Sequence, residues 1–173
     1  MKRLLLFLGV TLAVNTGVWS SEPPPAPRQL EKANVLPLAL DDHFQFRKEM
    51  LFLNDPKFFT PTVDPTILFE RERINYGAVD SVDKTARLGN YFTFFWRSTE
   101  RADVTVRLEY RQENLGSYVQ AREVSYTGAK GSMRTDFKII GDDYHQDGRV
   151  TSWRALLIVD GKIVGLTASN LWD

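Results

Sequence analysis

Side chains able to do chemistry are densest between Gly141 and Gly148, where Asp142, Asp143, His145 and Asp147 crowd one short stretch. Asp143, His145 and Asp147 repeat at i, i+2 and i+4 ahead of a glycine, the rhythm by which a calcium loop turns alternate side chains onto a hard cation. The twelfth position counted from Asp143 is Arg154, where such a loop needs a bidentate glutamate. Asp and Gly also fill ordinary turns, because they tolerate unusual backbone angles and hydrogen-bond locally. The stretch is therefore a candidate metal site, with a polar turn between strands as the simpler reading.

His43 and His145 are the only histidines, and the chain has no cysteine. That composition excludes thiol nucleophiles, thiolate metal sites and disulfides, and leaves Ser or Thr paired with one of two histidines as the route to covalent catalysis. No Gly-x-Ser-x-Gly elbow, phosphate-cradling glycine loop or paired-histidine zinc motif accompanies them. Glu109 and Glu123 remain as carboxylate candidates, but both sit in segments rich in arginine, where cross-strand ion pairing is the simpler use for them. The chain reads as a non-enzyme without a cofactor, with a carboxylate- or metal-dependent hydrolase as the weakest alternative.

Arginine is the other unusual feature: Arg97, Arg107, Arg111, Arg122, Arg134 and Arg154 fall in successive strand-like segments. Aligned on one sheet face, Arg107, Arg111, Arg122 and Arg154 would form a row of planar donors suited to acidic glycans, lipid headgroups or an acidic protein face. The competing reading is a solvated face neutralised by Glu109, Glu123 and Asp136.

The elements that must position these groups follow from periodicity. Val104, Val106, Leu108 and Tyr110 alternate with Thr105, Arg107, Glu109 and Arg111, the period of a half-buried strand. Tyr91–Trp96 is rich in β-formers on both faces, and further strands are expected over 118–126, 132–140, 149–159 and 162–171. Asp160-Gly161 between two of them fits a two-residue type I′ hairpin. The short links forbid parallel crossovers. The expected fold is an all-β, antiparallel β-sandwich of immunoglobulin-like architecture with about six to seven strands, over residues 78–173. Trp96 and Trp153 are its core candidates, and a barrel or a curved sheet on a helix are the alternatives.

Upstream, Asp64-Pro65 starts a helix near 65–76, with Ile67, Leu68, Arg71 and Ile74 near one stripe. Phe46, Met50 and Leu53 have the spacing of a second helix over 42–53. Together these make residues 30–77 an apolar arm that must dock on the domain or on a partner. Residues 22–29 are proline-rich and read as a stiff linker. Residues 1–21 carry a basic start and an apolar run of the kind that directs export, cleaved near Ser21 or kept as a short membrane anchor.

The whole chain has 173 residues, 22 basic and 22 acidic, and 43% hydrophobic composition. That is too apolar for disorder and lacks the basic excess of nucleic-acid binding. The resulting expectation is an exported domain of the periplasm or cell envelope, touching the membrane only through its N-terminal segment. It would bind an envelope protein partner, with a glycan or polyanion on the arginine-bearing face as the second reading.

Overall fold

The computed structural model describes residues 25–172, so the expected export segment at 1–21 and the first part of the expected linker lie outside the described residues. Among the described residues no helix is long and apolar enough to cross a membrane. The chain is built on six strands: β1 (Arg28–Leu30), β2 (Phe44–Asn54), β3 (Gly89–Gln112), β4 (Gln120–Ile140), β5 (Val150–Val159) and β6 (Lys162–Ala168). Helices α1 (Pro65–Asn75) and α2 (Ser81–Ala86) separate β2 from β3, and α3 (Asp142–Asp147) separates β4 from β5. The fold is all-β in its framework, and every strand pairing is antiparallel.

The hydrogen bonding is that of one sheet, in the order β1-β4-β3-β5-β6 with β2 also on β3, whereas an immunoglobulin-like sandwich divides its strands between two. The reason lies in β3 and β4. The segments 90–96 and 104–111 form one strand, as do 118–126 and 132–140. Their ladder runs from Gly89↔Ile140 to Tyr110↔Gln120, with register shifts between Ser98 and Val104. Gly128, with φ +59°, bends β4 there where the sequence suggests a reversal, and its N–H is held by Asp103 Oδ1 at 2.7 Å. Irregular pairing of this kind kinks a ribbon without ending it.

The bend folds the sheet onto itself. β2 pairs with the first half of β3, from Phe44↔Ser98 to Asn54↔Gly89, and β5 pairs with the second half, from Thr105↔Ile158 to Gln112↔Val150. Phe92, Phe94 and Trp96 from the first half then meet Val106, Leu108, Trp153 and Leu157 from the second in a single core. Phe94 is its hub, with ring centroids 5.4 Å from Trp153, 5.8 Å from Phe46 and 6.2 Å from Phe137. Trp96 and Trp153 are buried, as their mid-strand positions suggest.

The helix expected over 42–53 is a strand. The apolar spacing at 46, 50 and 53 mimics a helix because a bulge between Phe46 and Lys48 interrupts the two-residue alternation. Pairing along β3 and burial of Phe44 outweigh the modest helix preference of Arg47-Lys48-Glu49-Met50. Helix α1 does form: Asp64 accepts from Thr66 N at 2.8 Å, and Pro65 occupies its first turn. The hairpin also forms as expected, with Asp160 and Gly161 both at positive φ.

The arm from 28 to 41 lies across the second half of the sheet. β1 caps the edge of β4, and residues 37–41 run beside β6, where Ala39 N donates to Ile163 O and Ile163 N to Pro37 O. Leu36 packs on Leu156, Ile158 and Ile163 between those edges. Both β4 and β6 are thereby capped along part of that half by the chain itself, and the outer edge β1 presents is only three residues long, which limits the open ladder that invites aggregation.

Candidate functional site

The arginines do not form one row. Leu108 pairs with Arg122, which places Arg122 on the core-facing side, while Arg107, Arg111 and Arg154 share the outer face with Glu109 and Glu123. On that face the charges alternate in a string. Arg154 Nη2 lies 2.6 Å from Glu109, Arg107 lies 3.5 Å from Glu109 and 2.7 Å from Glu123, and Arg28 lies 3.4 Å from Glu123. Arg107 also donates to Asn34 O at 3.0 Å, which ties the arm down over the pairs. Cross-strand pairing therefore accounts for both glutamates. The face is covered at Arg107 and Glu109, which are nearly inaccessible, instead of being solvated throughout.

Asp143, His145 and Asp147 do not converge. Within a helix, positions i and i+4 share a face and position i+2 points away. Asp143 accordingly reaches Arg122 and Asp147 accepts from Gln120 Nε2 at 3.1 Å, while the His145 ring turns to Thr85 O at 3.1 Å. Among the described residues no three His, Asp or Glu side chains are grouped to hold a metal ion. The i, i+2, i+4 spacing would converge only in an extended loop, and 142–147 is helical.

This stretch instead closes one end of the core. Gln112 Nε2 donates to the carbonyls of Asp143 and Gly148, Gln120 Nε2 donates to Gln112 Oε1, and Tyr110 donates to Gln120 Oε1. Tyr144 is buried and donates to Asp55 Oδ2 at 2.7 Å, which joins α3 to the end of β2. Burial raises the Tyr144 pKa well above the ordinary phenol value, and the hydrogen bond to Asp55 adds to it. Tyr144→Phe is expected to lower stability by about 1–3 kcal/mol, because the Asp55 oxygen is left buried without its donor. Denaturant melts measure this, and an unchanged midpoint would mean that Asp55 is satisfied without the phenol.

His43 lies apart from His145. Its Nδ1 is 2.7 Å from Asp41 Oδ1 on the exposed surface, a hydrogen bond that raises the histidine pKa; the Asp41 pKa is lowered, mainly by the backbone N–H of His43. The pair is a local turn contact with no second base or nucleophile bonded to it.

The feature that sequence reasoning missed is a groove of about 530 Å³ between α1 and the outer face of the first half-sheet. Met50 and Phe52 of β2, Tyr91 and Phe95 of β3, and Ile67 and Phe69 of α1 form its apolar walls. The cause is uneven anchoring of α1. Its C-terminal end is fixed: Arg87 donates to the carbonyls of Ile74 and Tyr76, Asn75 bonds the buried Asn54, and Ile74 is buried. At its N-terminal end Ile67, Leu68 and Phe69 stay exposed, Phe69 at 60%. Leu51 also lines the groove, and Phe58, Val63, Tyr76, Val79 and Val82 are further exposed apolar side chains on the segments flanking α1. The one-stripe reading of 65–76 hid it, since residues placed on a single core face are shared between the groove and the open surface.

No protein-family model matches this chain, and no curated protein or solved structure does either. The functional reading rests on the geometry alone.

Proposed function

We propose that this protein is an exported, non-enzymatic binding domain that engages an envelope protein partner through the α1 groove and the apolar surface around it. The observation that carries this reading is the exposed apolar concentration between Leu51 and Val82, next to a groove that α1 leaves open. Exposed apolar side chains gathered at a groove, as Leu51, Ile67 and Phe69 are, are the kind of surface that marks interaction sites in soluble proteins. The basic and apolar start of the chain, at residues 1–21, supports export. The glutamates that would serve a hydrolase are each held by guanidinium groups in a structural string, which favours binding over catalysis. The two facing halves of the folded sheet supply a rigid, sandwich-like platform for the groove.

Photo-crosslinking in the producing cell tests the proposal. A photoreactive residue at Phe69 or Leu51 is expected to give one discrete protein adduct, and one at Lys162, on the hairpin turn, none. Ile67→Glu, which places a charge in the groove wall, should abolish the adduct while leaving the melting temperature in place. The same adduct from Lys162, or none from Phe69 and Leu51, would overturn the reading.

A further inference from the structure

A separate cleft runs along the arm, one part on the outer face of the second half-sheet and the other around the β1 edge beside α3. Its two cavities, of about 430 and 590 Å³, meet at Glu31 and at Tyr118, which is 58% exposed. In the first, Trp172 lies over two guanidiniums, 4.5 Å from Arg111 and 5.1 Å from Arg154. These project from neighbouring strands on one face, and Arg154 is fixed from below by the buried Glu109 through contacts of 2.7 and 2.6 Å. The second cavity is lined by hydrogen-bonding groups of the opposite kind, among them Gln120, Asp143 and Asp147.

We infer that this cleft binds an acidic oligosaccharide, with a carboxylate-bearing sugar beside Arg111 and Arg154 and a second ring beyond Tyr118. Sugars present apolar C–H faces together with a rim of hydroxyls. Tyr118 and Trp172 offer flat amphipathic rings for the first, and the Asp143 and Asp147 carboxylates of the second cavity offer acceptors for the other. A carboxylate matches the planar fork of arginine, and Arg154 is pre-organised by Glu109, so little ordering remains to be done on binding. Other polyanions fit less well. Nucleic acid would set phosphates against Asp143 and Asp147. An extended peptide would find only the three-residue outer edge of β1 to join here, because β1 already caps the adjacent part of β4.

The inference is independent of the groove at α1, and its test uses the full chain with defined probes. A glucose oligosaccharide ending in a single glucuronate is titrated by calorimetry and by tryptophan fluorescence, with the all-neutral glucose oligosaccharide of the same length as control. The acidic probe is expected to bind and the neutral one to bind at least about tenfold more weakly, a difference of about 1.4 kcal/mol. Tyr118→Ala and Trp172→Ala, both on accessible side chains, should each weaken the acidic probe by about tenfold or more, with the melting temperature unchanged. Equal binding of the two probes would overturn the acidic assignment. Absence of binding at millimolar probe, or binding that neither substitution weakens, would overturn the site.

Discussion

Phe94→Ala is expected to destabilise the protein by about 3–5 kcal/mol, the range for truncating a buried aromatic side chain. Phe94 is fully buried and touches rings contributed by β2, β3, β4 and β5. Its removal opens a cavity where the two halves of the folded sheet meet, and strands hydrogen-bonded in a bent sheet cannot move together to fill it. At about 2–4 °C per kcal/mol for a chain of this size, calorimetry should record a fall of about 6–20 °C. Phe95→Ala supplies the comparison, since that ring faces the groove on the opposite side of β3 and its loss should cost clearly less. Equal losses at the two positions would mean that the halves do not share one core.

Arg107→Ala should cost about 3–5 kcal/mol for a different reason, the stranding of buried charge. Arg107 stands between Glu109 and Glu123, with side-chain exposures of 5%, 4% and 11% in that order. Without it two carboxylates face each other under the arm, although Arg154 and Arg28 still hold their outer oxygens. Replacing Arg107, Glu109 and Glu123 together by Met, Leu and Leu should restore most of the loss, because no buried charge is then left unpaired. Added salt should change the single variant little, since screening acts weakly on buried groups. Recovery of the Arg107→Ala variant in molar salt would show the string to be a surface feature.

The fold was legible where a local rule has a local cause. Asp64-Pro65 starts α1 through one cap and one fixed φ, and Asp160-Gly161 turns the hairpin through two positive φ angles, so neither depends on distant residues. The strand at 104–110 is also legible, because one of its faces is buried and the other is charged. β2 was not, since its bulge disguises the alternation and its pairing partners lie 35 to 54 residues along the chain, from Asn54↔Gly89 to Phe44↔Ser98. The same holds at Gly128, where glycine chemistry reads as a reversal but the ladder to β3 continues past it. At the candidate sites, arginine and glutamate content was visible, and so was their pairing in outline. The side of the sheet each occupies was not, and for Arg122 that parity decided the outcome. Tyr118 and Trp172 carry no signal of their own, because only the folded sheet brings the link before β4 and the turn after β6, where Ser169 N donates to Trp153 O, beside Arg111 and Arg154.

Residue types alone determined that thiol chemistry and disulfides are absent, where the helix and hairpin begin, that the framework is antiparallel β, and that Trp96 and Trp153 lie in its core. Those properties follow from backbone preferences and burial, which act within a few residues. Tertiary structure decided that the strands form one folded sheet, that Asp143 and Asp147 part from His145, that the arginines are spent largely in pairs, and that α1 stands off the sheet at one end. Each of these depends on which distant residue lies opposite, and register between strands is set by the packing of the whole core.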